Sequence, residues 1–103
     1  MEYCSIYITA GSEEEAAGIG RKLVEEKLAA CANILPAKSV YRWEDDIEEE
    51  PEAVMFVKTR LELAERVIER VKALHSYEVP CIVVFPIEKG NPDYLKWIEE
   101  STG

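Results

Sequence analysis

The chain has 103 residues, 48% of them apolar and 32% charged, and 21 acidic against 12 basic side chains give a formal charge of −9. That length fits one domain, residues 1–103, with a core of its own. The acidic balance excludes nucleic acid and anionic membrane as partners, because both are bound by neutralising phosphates with Lys and Arg.

No apolar run approaches the ~20 residues that cross a bilayer. Met1-Glu2-Tyr3-Cys4 carries no basic stretch, so no signal peptide is expected. Cys4, Cys31 and Cys81 are odd in number and widely spaced, which disfavours a disulfide framework and points to the reducing cytoplasm.

Tyr3 to Ala10 alternates Cys4, Ile6 and Ile8 with Tyr3, Ser5, Tyr7 and Thr9, the period of a strand. Gly11 turns the chain, and Ser12 with Glu15 forms a capping box at the start of a helix. That helix carries Ala16, Ile19, Leu23 and Val24 on one face and runs to about Leu28. Gly18-Ile19-Gly20 lies inside it rather than at a phosphate-facing entrance, so it reads as close helix–sheet packing and not as a nucleotide loop.

An extended stretch follows from Cys31 to Trp43, interrupted at Pro36-Ala37-Lys38 as at a bulge or an edge strand. Glu44 to Glu52, seven acids in nine residues, reads as a solvated hairpin connection. Ala53 to Thr59 is a strand whose apolar run predicts cover on both faces. Thr59 and Glu62 read as a second capping box, before a helix that buries Ala64, Val67, Ile68, Val71 and Leu74. The only histidine, His75, ends it, and Pro80 biases Val79 toward extended backbone before a last strand from Cys81 to Phe85 or Pro86. Asn91 caps a short final helix with Pro92 at its first position and Tyr94, Leu95, Trp97 and Ile98 along it.

The order β-α-β-β-α-β plus a C-terminal helix predicts an α+β ferredoxin-like sandwich, with helices on one face of an antiparallel sheet. The last strand then lies at a sheet edge although Cys81, Val83 and Phe85 on one face and Ile82 and Val84 on the other are all apolar. Exposed apolar edges aggregate unless covered, so an oligomer is expected.

For chemistry the candidates are few. Imidazole and thiolate suit copper and zinc, so His75, Glu78, Cys31 and Cys81 are candidate metal ligands, although no C-x-x-C or H-x-x-x-H spacing joins them. The plainer reading is a helix-terminal histidine favoured by the helix dipole and cysteines acting as small apolar groups. Cys31, His75 and Glu78 would supply a nucleophile, a base and an orienting carboxylate. No oxyanion or cofactor motif accompanies them, so neither an enzyme nor an organic cofactor is expected.

Several stretches together resemble the CutA divalent-cation tolerance family. They are Leu28-Ala29-Ala30-Cys31-Ala32-Asn33-Ile34-Leu35-Pro36, Ser39-Val40-Tyr41-Arg42-Trp43-Glu44, Lys58-Thr59, His75-Ser76-Tyr77-Glu78-Val79-Pro80, and Gly90 with Tyr94 and Trp97. The match runs from about Ile6 to Thr102 with order and spacing preserved. The resemblance implies a ferredoxin-like homotrimer assembled through sheet edges, similar in architecture to PII signalling trimers, and an association with copper and heavy-metal tolerance. The sequence departs from the family pattern at Ser76, where proline is usual, and at Cys81, where glutamate is usual. Leu74 and Ile8 stand where some relatives carry a second histidine and a cysteine.

The resemblance further implies that Asn33, Tyr41, Trp43, Lys58, Tyr77 and Trp97 gather, with Cys31, His75 and Glu78, near a cleft between subunits. The expectation is therefore a cytoplasmic homotrimer that binds copper or another divalent metal ion. The alternative is a PII-like small-molecule-sensing trimer whose cleft uses Lys58 and His75 to hold an anionic ligand.

Overall fold

The alternation of Cys4, Ile6, Ile8 and Ala10 with polar and aromatic residues builds β1 (Tyr3–Ala10), and in the computed structural model, which describes residues 1–103, those four side chains are fully buried. Ser12 then caps α1 (Glu13–Glu25) by accepting the Glu15 N–H at 3.0 Å. The Glu15 carboxylate reaches back to the Gly11 N–H at 3.2 Å, one residue earlier than in a standard capping box. The helix stops three residues short of the expected Leu28. Lys27 turns into the left-handed region (φ 59°), and the Leu28 and Ala29 N–H groups both bond the Leu23 carbonyl. Ala16, Ile19 and Leu23 face the core, whereas Val24, expected beside them, is 41% exposed.

The two glycines of α1 differ. A Cβ at Gly20 would lie 2.9 Å from the Ala32 Cβ and 3.3 Å from the Met55 sulfur, so this glycine is what lets the helix approach the sheet. A Cβ at Gly18 would meet nothing within 4 Å. Gly18→Ala is therefore expected to stabilise the protein by about 0.5–1 kcal/mol through helix propensity, and Gly20→Ala to destabilise it by about 1–3 kcal/mol through overpacking. Paired urea melts check both signs.

β2 (Cys31–Trp43) and β3 (Asp46–Arg60) form one long antiparallel ribbon. The expected connection Glu44 to Glu52 shrinks to two residues, Glu44 and Asp45, with φ of 49° and 70°, a type I′ turn whose twist matches the strands. Asp46 to Glu52 are strand. Pro36 sits opposite Ala53 without breaking β2, because an edge strand needs only alternate N–H groups for its single neighbour. In β3, Ala53, Met55, Val57 and Thr59 are buried, while Val54, Phe56 and Lys58 on the other face are only half-buried. Within one chain the strand is thus fully covered on a single face, not on both.

The second capping box does not form. Thr59 is held in β3 opposite Cys4, and its buried hydroxyl donates at 2.6 Å to the Leu28 carbonyl freed where α1 ends. A single 3-10 turn, Leu61–Leu63, leads into α2 (Ala64–Leu74), which buries Ala64, Val67 and Val71 and leaves Ile68 half-buried. β4 (Ile82–Ile87) starts one residue later than expected and continues through Pro86. Asn91 caps α3 (Pro92–Glu100) by accepting the Asp93 N–H.

The sheet order is β2-β3-β1-β4, antiparallel throughout, which is the expected ferredoxin-like α+β sandwich. Helices α1 and α2 enclose the core against one face, on the side of Ile6, Ile8, Met55 and Val57. The opposite face is covered only at one end, where α3 is fastened by Tyr3 to Glu99, Arg60 to Thr102 and Cys31 to Tyr94. Elsewhere it stays open, with Val83 45% and Phe85 53% exposed on β4. β4 is a sheet edge, as expected, and so is β2.

Candidate functional site

The open sheet face, the outer part of the ribbon and the His75–Cys81 junction enclose a cleft of about 630 Å3. Glu48, Glu50 and Glu52 line the ribbon wall with Tyr41 and Trp43, and Tyr77, Glu78 and Cys81 line the junction wall. Tyr7 and Thr9 form the floor. The three ribbon carboxylates converge because a strand sends every second side chain to one side. That side continues through Val54, Phe56 and Lys58 along β3.

The junction itself is a knot of hydrogen bonds. His75 ends α2 with extended backbone, and its side chain is fully buried. Nε2 lies 2.7 Å from the Thr9 carbonyl oxygen, and Nδ1 accepts the Tyr77 N–H at 3.0 Å. These partners assign the neutral tautomer with hydrogen on Nε2. Glu15 accepts the Ser76 N–H at 2.8 Å and lies 3.7 Å from Nδ1, and the Tyr77 ring packs on the imidazole at 4.8 Å. Tyr77 then donates its hydroxyl to Glu52 at 2.6 Å, tying the junction to the ribbon.

The electrostatics follow from this crowding. Partial burial, the bond to Glu52 and that carboxylate's charge push the Tyr77 hydroxyl far above the ordinary tyrosine range. Tyr41 is raised too, by desolvation and by the charges of Glu50, Glu52 and Glu48. For Glu15 burial opposes the charged form. The hydrogen bonds from Ser76 and Gly11 outweigh it and hold the carboxyl below the glutamate range.

A depressed folded-state value means that Glu15 stabilises the fold fully above the ordinary glutamate value of about 4.3 and loses that contribution as pH falls through the lower, folded one. Glu15→Gln is expected to cost about 1 kcal/mol at neutral pH and nothing once both chains are protonated. Thermal melts from pH 7 to pH 2 should show the two curves converging in acid.

The four candidate metal ligands do not converge. Both nitrogens of His75 are occupied by main-chain groups, so the imidazole has no lone pair free for an ion. Cys31 lies at the far end of the open face, 3.4 Å from the Tyr94 hydroxyl. It is level with Ser5, whereas Cys81 is level with Thr9, a separation of roughly 13 Å along the strands alone. Only Glu78 and Cys81 share the cleft, both exposed. No group of three His, Cys, Asp or Glu side chains in one chain is placed to hold a metal ion.

The six cleft candidates also split. Tyr41, Trp43 and Tyr77 line the cleft. Asn33 and Lys58 hydrogen-bond each other near Cys31, and Trp97 packs on Tyr94 at 5.5 Å along α3. The bond to Cys31, with burial, pushes the Tyr94 hydroxyl up to about 12. Lys58 and His75 therefore do not form one anion-binding pair, and the cleft that does exist carries four carboxylates. Sequence reasoning missed Glu48, Glu50 and Glu52 as cleft residues and Glu15 as the partner of the junction. The even spacing of the three ribbon acids, in phase with Val54, Phe56 and Lys58, was the signal for the first group.

Comparison with known proteins places these features in context. The family model described as CutA1 divalent ion tolerance protein matches residues 4–101. The divalent-cation tolerance protein CutA of Archaeoglobus fulgidus is 53% identical over 96 residues, covering 93% of this chain and 94% of the relative. A solved structure described as the periplasmic divalent cation tolerance protein CutA of the same organism superposes with a TM-score of 0.94 at 52% identity, over 96% of this chain and 97% of that one. The CutA1 structure of Oryza sativa gives a TM-score of 0.97 at 38% identity, over 100% and 95% of the two chains.

Proposed function

This chain belongs to the CutA1 divalent ion tolerance protein family, and from that premise we propose that it binds copper or a similar divalent ion as a homotrimer, with Cys81 and Glu78 as the donors each copy contributes. The reading rests on one observation above the others. Cys81 is an exposed thiol immediately before the edge strand β4, in the same cleft as Glu78. A thiolate with carboxylate neighbours prefers soft and borderline ions, and affinity among divalent first-row ions peaks at copper.

One chain brings too few donors together, so the ion sits where copies meet. Val83 and Phe85, exposed beside Cys81 on β4, are the apolar surface that such a contact covers. The protein acts by holding the ion, not by turnover. Three free thiols favour a reducing compartment, the cytoplasm, although the Archaeoglobus fulgidus relative is described as periplasmic.

The PII-like alternative, an anionic metabolite in the same cleft, gains no support from four carboxylates at that position. The test is a calorimetric titration of the reduced, chelator-stripped protein with copper and zinc. Stoichiometric sub-micromolar binding weakened at least roughly tenfold in Cys81→Ser supports the reading. Binding unchanged in Cys81→Ser and Glu78→Gln overturns it.

A further inference from the structure

The strand register sets Cys31, Lys58 and Ser5 side by side in one half-buried row across the open sheet face, with Asn33 two residues further along β2. Lys58 is out of keeping with its strand, because the positions before it on this face are the apolar Val54 and Phe56. It also lacks what comparable residues have. Of the three half-buried Lys and Arg residues, Arg60 pairs with Glu62 at 2.9 Å and Arg70 with Glu26 at 2.8 Å. The only side-chain partner of Lys58 is the neutral amide oxygen of Asn33. Glu99, an acid that α3 brings to this face, accepts instead from Tyr3, two residues along β1 from Ser5. A partly desolvated charge without a counter-charge works against the fold, and here it persists in a chain of formal charge −9.

Donors surround that charge. The ammonium has three N–H groups, of which Asn33 takes one, and Asn33 keeps its own amide N–H2. Cys31 and Tyr94 use one of their two protons in the bond between them, at 3.4 Å, which leaves the other to donate. Beside Cys31, the rings of Tyr94 and Trp97 lie 5.5 Å apart and are 40% and 42% exposed.

We propose that Lys58, Asn33, Cys31 and Tyr94 bind the charged head of a small planar organic anion, an aromatic carboxylate or phosphate ester, whose ring lies on Trp97. One such anion supplies the missing counter-charge and accepts the free protons in charge-assisted hydrogen bonds. The exposed rings suit its flat body. The site lies at the far end of the open face from Cys81 and uses no metal ion, so it stands apart from the ion-binding reading.

The test is a calorimetric titration of the reduced, chelator-stripped protein with benzoate, phenyl phosphate and inorganic phosphate. One of the two ring compounds is expected to bind saturably and more tightly than phosphate. Lys58→Met should weaken it at least roughly tenfold, and Lys58→Arg, which keeps the charge, should retain most of it. In buffer free of these anions Lys58→Met should melt no lower than the wild type, because it removes an uncompensated charge and extends the apolar strand face. Circular dichroism checks that each variant is folded. No saturable binding of any probe, or binding unchanged in Lys58→Met, overturns the proposal. A Lys58→Met protein that melts well below the wild type also overturns it, since the ammonium would then serve the fold rather than a ligand. Phosphate bound as tightly as phenyl phosphate overturns the role of the rings.

Discussion

Replacing His75 by alanine is expected to destabilise the fold by about 3 kcal/mol, and to leave the number of ions bound per chain unchanged. The side chain is fully buried, and its removal opens a cavity while leaving the Thr9 carbonyl and the Tyr77 N–H without partners. An unsatisfied buried polar group costs about 1–3 kcal/mol, and loss of a buried ring adds a cavity penalty. His75→Gln provides the control, since an amide can serve one of the two partners and should recover part of the loss. A ligand role predicts the reverse pattern, with stability nearly retained and binding abolished. Urea denaturation of the metal-free protein, beside a zinc titration of the same samples, separates the two.

A second large effect is expected at the open face. Phe85 stands on β4 opposite Ser5 and is 53% exposed. Phe85→Asp should therefore cost the monomer less than about 1 kcal/mol. In the proposed trimer the same change removes an aromatic anchor and buries a charge at every subunit contact. Changes of that kind cost 2 kcal/mol or more per contact, enough to weaken association roughly thirtyfold or beyond. The expected outcome is a folded monomer at micromolar concentration by sedimentation velocity, with circular dichroism unchanged. An intact trimer would mean that β4 is not where copies meet.

Periodicity carried most of the fold, because β1, α1 and α2 each show one clear repeat, and Ser12 and Asn91-Pro92 mark where α1 and α3 start. The ribbon was misread for physical reasons. Pro36 and a run of acids are rare in strands, and the turn at Glu44-Asp45 lacks the glycine that usually marks a type I′ hairpin. An edge position tolerates the proline, and exposure on both faces tolerates the acids.

The site was less legible still. His75 is held by the main chain at Thr9, 66 residues away, and by the N–H two residues after it. Main-chain partners leave no trace in side-chain identity. Of the four candidate ligands named from sequence, Glu78 and Cys81 line one cleft. Cys31, read as a third ligand, was separated from them by its place on β2, which only strand register reveals.

The proposed ion site exists only where copies meet. The most direct measurement is a zinc titration by calorimetry of the reduced, chelator-stripped wild type beside the Phe85→Asp monomer, zinc being chosen because it does not oxidise the Cys81 thiol. The wild type should bind tightly and stoichiometrically, and the folded monomer, with Cys81 and Glu78 intact, should lose at least roughly a hundredfold in affinity. A monomer that binds zinc as tightly as the assembled protein would contradict it.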